Sequence, residues 1–198
     1  MSVIHHRQAA GTRSEIVAAD APSAAPNSVA ARALAVVRIA FGLTFLWAFA
    51  DKLLALGFAT GRDPVTNQID QFGDAAWING ASPTAGFLGN AADGPFQSFY
   101  NNIAGSAWAD TLFMMGLLGI GVALTFGVAT RAAAAAGVVL YVMMWSVVLP
   151  PENNPVLDYH LEGAFTLIVL ALLNAGDTWG LGGRLARTEA VKKYPVLR

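Results

Sequence analysis

Ionisable side chains that could do chemistry stand within long apolar runs: Arg38, Asp51 and Lys52 in the first run, and Asp158, His160 and Glu162 at the head of the last. An ionisable group in a segment long enough to cross a bilayer is costly to bury, so each is a functional candidate by default. Arg38 lies six residues beyond Arg32, about 9 Å deeper along a helix. Lys52 follows Arg38 by fourteen residues, and steps of about 100° return it to nearly the same face, with Gly42, Phe45 and Phe49 between. Asp51 points elsewhere. Two readings of the cations stay open. Either they snorkel to opposite interfaces, or they sit within protein and orient anionic groups of a ligand.

At the head of the last run, Asp158 and Glu162 are one helical turn apart on a common face, and His160 points to a different side. This end lies level with Asp51 and Lys52, so an ion-paired cluster between the first and last helices is expected. Glu162 lies deeper and needs a partner more urgently, which Lys52 is placed to supply. Asp158 alternatively serves as a helix cap. A histidine beside carboxylates can take up or release protons, as the reduction or oxidation of a quinone requires. The competing reading is a histidine that hydrogen-bonds a loop carbonyl. His160 is the only histidine in the apolar runs, so a bis-histidine haem is not expected. The chain has no cysteine, and no zinc motif, P-loop or glycine-rich dinucleotide fingerprint is present. No metal or flavin site is therefore expected.

The elements that must position these residues follow from hydropathy. Hydrophobic residues make up 55% of the 198-residue chain and charged residues only 13%, against about 25% charged in soluble proteins. A bilayer core about 30 Å thick needs roughly 20 helical residues. Four runs meet or approach that length, at 30–56, 111–130, 132–149 and 158–176. The expected fold is an all-α integral membrane four-helix bundle, with a long outward-facing loop at 57–109 carrying short interfacial helices. Residues 1–28 read as a disordered tail without the apolar core of a secretory signal. They lead to a cap at Asn27 or Ser28. Residues 177–198 form a basic tail.

Lys and Arg near span ends set the orientation. Arg7, Arg13, Arg32, Arg131, Arg184, Arg187, Lys192, Lys193 and Arg198 fall on one side of a four-crossing chain. The other side receives Arg62 and Lys52, with Asp63, Asp70, Asp74, Asp93 and Glu152. Both termini are therefore expected in the cytoplasm. Trp77, Trp108 and Trp145 near the outer edge and Trp179 near the inner fit interfacial aromatic belts. Gly119, Ala123 and Gly127 recur every four residues and predict a small-residue packing stripe opposite Ala133 and Gly137. Phe87, Leu88, Phe96, Phe99 and Tyr100 make the outer loop apolar enough to lie among headgroups.

The run RIAFGLTFLWAFADKL (Arg38–Leu53) resembles the opening helix of the DoxX/DoxD family of bacterial and archaeal membrane proteins. DYHLEGAFTLIVLALLNAGDTWGLGGRL (Asp158–Leu185) is similar to that family's final helix and exit. The resemblance covers roughly residues 30–198 and is nearest to the DoxD-like branch. It implies a membrane subunit of a thiosulfate:quinone oxidoreductase in a bacterial or archaeal cell membrane, passing electrons from thiosulfate to quinone with a second subunit. On its motifs Arg38, Lys52, Asp158 and His160 carry over, and Glu162 joins them from its position alone.

Three functions are thus in competition. In the first, a quinone-linked redox subunit, Arg38, Lys52, Asp51 and Asp158 bind the substrate or quinone while His160 and Glu162 handle protons. The second is a non-catalytic accessory subunit of a larger respiratory membrane complex. The third is a small-solute permease, which the unbroken, non-polar second and third runs disfavour. Each has the lipid bilayer as a partner, and none involves nucleic acid.

Overall fold

The structure is a computed structural model and describes residues 28–152 and 154–194. The disordered tail expected at 1–28 lies outside the described residues except for Ser28. Among the described residues the fold is all-α, with one isolated antiparallel bridge between Arg62 and Ile69. Helix α1 is Val29–Leu54, α2 Gln97–Ile103, α3 Ala107–Phe126, α4 Thr130–Val147 and α5 Tyr159–Leu172. Two short helices follow, α6 (Gly182–Leu185) and α7 (Glu189–Lys193).

Helix ends are set by local chemistry. Ser28 Oγ accepts from the Ala31 N–H at 3.1 Å and starts α1. Gly127, with φ at 65°, ends α3 by donating its N–H back to Ala123 and Leu124. A left-handed residue at that position is a common helix stop, and glycine adopts it without strain. The second run was expected to reach Thr130; the glycine ends it at Phe126, and Thr130 instead opens α4.

Three helices are long and apolar enough to cross a membrane: α1 with 26 residues, α3 with 20 and α4 with 18. The fourth expected span is cut short. Helix α5 has 14 residues, about 21 Å of rise, because Asn174 turns left-handed at φ 50° and a 3₁₀ turn follows at Ala175–Asp177. Asparagine tolerates that conformation better than most residues, and apolar periodicity alone does not register it.

Helix α1 packs chiefly along α3, and α4 along α5; the α3–α4 hairpin joins the two pairs. Phe45, Met114, Leu117, Ile120, Leu124, Leu167 and Leu170 fill the shared core. Glycines decide how close the helices come. A Cβ on Gly42 would fall 2.6 Å from the Thr125 nitrogen, and one on Gly121 would fall 2.9 Å from the Leu46 nitrogen. Gly137 opens α4 to Leu167. The expected stripe is therefore displaced. Gly119 faces outward with no neighbour, Gly127 is a helix stop, and Gly121 makes the close approach to α1. The four-residue spacing was correctly periodic but chose the wrong face, since the sequence alone does not say which side of α3 meets α1. Outward faces are apolar: Leu43 and Trp47 on α1, Leu112 and Phe126 on α3, Phe165 and Leu172 on α5 are all exposed.

Between α1 and α3 the chain makes a 3₁₀ turn at Trp77–Asn79, a π turn at Phe87–Ala91, a second 3₁₀ turn at Gly94–Phe96, and α2. Tyr100 of α2 is buried against Val147 and bonds Ser146 of α4, seating this segment on the end of the helices. Phe87 and Leu88 pack there too, while Phe96 and Phe99 stay exposed.

Two predictions follow from this packing. Gly42→Leu forces α1 away from the α3 backbone and costs about 1–3 kcal/mol, read as a lower midpoint of thermal unfolding in detergent; an unchanged midpoint contradicts the packing. In the loop, Asp63 Oδ1 accepts from the amides of Thr66 at 2.6 Å and Val65 at 2.9 Å. Its carboxyl is held below the usual carboxylate range, first by the Thr66 backbone, then by the Thr66 hydroxyl and the Val65 backbone. A depressed carboxylate stabilises the turn fully above its unfolded pKa, about 3.9, and the contribution disappears as pH falls through the lower folded value. Protection of the Thr66 amide, measured against its intrinsic exchange rate at each pH, therefore falls only below about pH 4, and in Asp63→Ala it is low at every pH.

Candidate functional site

The polar side chains within the helices gather at two ends of the molecule. At one end stands Arg38, with no exposed surface. Its Nη1 donates to the Leu124 and Thr125 carbonyls, and its Nη2 to the carbonyls of Thr178 at 3.3 Å and Trp179 at 3.1 Å. Leu124 and Thr125 lie in the last turn of α3, where carbonyls lack helical partners and the helix dipole is negative. One guanidinium thus ties α1 to the end of α3 and to the chain leaving α5. Gly127 permits the approach, since a Cβ there would fall 2.7 Å from Nη1. Among the described residues no carboxylate pairs with Arg38. Of the two readings left open, Arg38 follows the one that sets it within protein and not the snorkelling one, and both terminal nitrogens are committed to backbone oxygens.

Near this end, Arg131 bonds the Asn174 side chain at 3.1 Å. A shallow surface dip with no room for a water molecule lies between Thr130, Arg131, Ala171, Asn174, Gly176 and Asp177. It is remote from His160, which starts α5 at the opposite end.

At that opposite end Asp158 does two things at once. Its Oδ1 caps α5 by accepting from the amides of His160 at 3.1 Å and Leu161 at 3.2 Å, and its Oδ2 lies 2.6 Å from His160 Nδ1. The alternatives of cap and site residue are not exclusive, because a carboxylate has two oxygens. The loop-carbonyl reading of His160 fails: its ring partner is Asp158. The imidazole is 1% exposed, and its Nε2 is buried with no hydrogen-bond partner. The Tyr159 ring stacks on it at 4.0 Å and 32°, and Tyr141 of α4 stands 6.3 Å away.

The remaining expected residues do not join this pair as foreseen. Glu162 is exposed, and neither it nor Lys52 forms an ion pair within the described chain. The expected Lys52–Glu162 bridge is absent because α5 turns Gly163 and Ala164 toward its neighbours and leaves Glu162 outside. Lys52 is half-buried in the last turn of α1. Asp51 is buried and accepts from the amides of Phe58 at 3.1 Å and Ala59 at 2.9 Å, which folds the chain back after α1. Both of its oxygens are thereby engaged.

One buried acid escaped the sequence reading. Asp110 Oδ1 accepts from the hydroxyls of Ser82 at 2.8 Å and Thr84 at 2.6 Å and from the Thr84 amide at 3.1 Å. It pins the loop to the first turn of α3. An acid just before an apolar run, with Ser-Pro-Thr upstream, was the available signal. Tyr141 was also missed, since one aromatic in an apolar helix reads as core.

The chain matches no protein-family model, no curated protein and no solved structure. What it does must be argued from its own residues.

Arg38→Met removes the guanidinium's hydrogen bonds to the Leu124, Thr125, Thr178 and Trp179 carbonyls, and should cost about 1.5–3 kcal/mol or more. Arg38→Lys should rescue only part of this, because an ammonium cannot reach two separated carbonyl pairs as a planar fork does. Thermal unfolding in detergent checks both; equal stability of Lys and Arg would contradict the clamp.

Proposed function

We propose that the chain is the membrane subunit of a quinone-linked oxidoreductase of DoxX/DoxD type, with the Asp158–His160 pair as its proton-handling group. The observation that carries this reading is a buried imidazole whose Nδ1 is held by a carboxylate and whose Nε2 is open. Reduction of a quinone to a quinol takes up two electrons and two protons. With Asp158 ionised, His160 can hold a second proton as imidazolium and deliver it from Nε2 to a carbonyl oxygen. In the reverse direction the neutral ring accepts a proton from a quinol hydroxyl. Asp158 sets the ring's tautomer and orientation. In this reading electrons come from thiosulfate through a partner subunit.

In this reading α1, α3, α4 and α5 all cross a bacterial or archaeal cell membrane, with both termini cytoplasmic. The apolar outward faces support embedding in lipid, and the distribution of Lys and Arg supports the orientation. A helix as short as α5 is accommodated by local thinning of the bilayer and by flanking polar residues at its ends. His160 then sits near the outer surface, where protons exchange with water.

A second reading, an accessory subunit of a larger complex, draws on Glu162. A carboxylate exposed on an otherwise apolar helix face is costly in lipid and suits contact with a cation on a neighbouring subunit. Co-purification of a stable large complex in mild detergent, with activity insensitive to His160, would favour it.

The test is thiosulfate-dependent quinone reduction in membranes with and without the chain. The reading expects the rate to depend on the chain, and His160→Gln to lower it about 100-fold or more at an unchanged amount of protein in the membrane. Identical rates with and without the chain would remove the redox reading.

A further inference from the structure

Tyr141 is the one polar side chain of α4 set among rings from two other helices. It meets Phe41 edge-on at 6.5 Å, Phe45 at 5.5 Å and His160 at 6.3 Å. Gly163 makes this placement possible. A Cβ there would fall 2.8 Å from Tyr141 Cε2 and 2.9 Å from Cζ, so the hydroxyl-bearing end of the ring lies over the α5 backbone, one turn from His160. Any larger residue at 163 displaces the ring.

The tyrosine hydroxyl makes no hydrogen bond among the described residues, whereas Tyr100, the corresponding phenol at the α2–α4 contact, bonds Ser146. Phenols set in apolar surroundings normally find a partner. His160 Nε2 is unpartnered as well. His160 Nε2 is enclosed and lacks a partner, which is unfavourable unless something supplies one, while Tyr141 is half-buried and its hydroxyl is free to donate.

We infer that Tyr141 and His160 line one binding site for a planar ring bearing a carbonyl oxygen, with the Tyr141 hydroxyl as a hydrogen-bond donor alongside His160 Nε2. This rests on the quinone reading above and adds to it a residue and a recognition chemistry. The flanking rings of Phe41, Phe45 and Tyr159 offer flat or edge-on apolar contacts, and none of them carries a positive charge. The site therefore takes the neutral ring and not the thiosulfate anion.

The experiment uses the full chain in detergent and a short-chain benzoquinone carrying ¹³C at its carbonyls. Binding is followed by titration, and the carbonyl stretch by infrared difference spectroscopy. Tyr141→Phe keeps the ring and its packing and removes only the donor. It should weaken binding about 5-fold and shift the bound carbonyl band toward its value in an apolar solvent. His160→Gln should weaken binding at least as much, and thiosulfate at the same concentration should not compete.

If Tyr141→Phe binds with native affinity and an unshifted band while His160→Gln binds weakly, the role of Tyr141 is overturned and the quinone reading stands. If the native chain takes up no benzoquinone, both fall. An affinity loss in Tyr141→Phe with an unshifted band makes that loss purely structural and overturns the inference.

Discussion

A polar group enclosed by apolar helices has no water to turn to, so its hydrogen bonds must be found within protein. Arg38 shows the consequence most clearly. With no exposed surface, its guanidinium reaches carbonyls from the end of α3 and from the segment after α5. At the end of α3 the Thr125 carbonyl is one that helix geometry leaves unpaired, and the Leu124 carbonyl accepts from the Gly127 N–H as well. The cation's need and the helix end's need are met by the same contact, which explains how a charge persists in this position without a carboxylate beside it.

The glycines near Arg38 follow from that constraint. Gly127 ends α3 and leaves room for Arg38 Nη1, and a Cβ on Gly180 would fall 3.1 Å from the Gly127 Cα. Backbone lies on backbone here, so the guanidinium can bridge segments that side chains would hold apart. Asp51 and Asp110 do similar work at the other end. Each turns a carboxylate onto loop amides or hydroxyls and seats a connection on the helices. These three charged groups are engaged in holding the fold.

The His160 end differs in one respect. Asp158 is fully used, by the first turn of α5 and by the imidazole, and the buried atom left without a partner is an imidazole nitrogen, which can take or give a proton, whereas those left at the other end are Arg38 Nε and the Thr125 and Thr130 hydroxyls. Arg38 and Asp51 are held by carbonyls and amides of the fold itself, and Tyr141 stands 6.3 Å from the His160 ring.

What the sequence determined by itself was what depends on neighbours along the chain. The apolar runs, the face shared by Arg38, Gly42 and Phe45, the Asp158 cap and the separation of His160 from Glu162 all follow from helical period and local capping. Tertiary structure alone decided the partners. Which side of α3 meets α1 made Gly121, and not Gly119, the contact. Where the chain turned after α5 supplied Arg38 with two of its carbonyls, and the rotation of α5 left Glu162 outside and out of reach of Lys52. The physical reason is that a helix's own pattern specifies which residues share a face, while the identity of what that face touches depends on the packing of segments far apart in the chain.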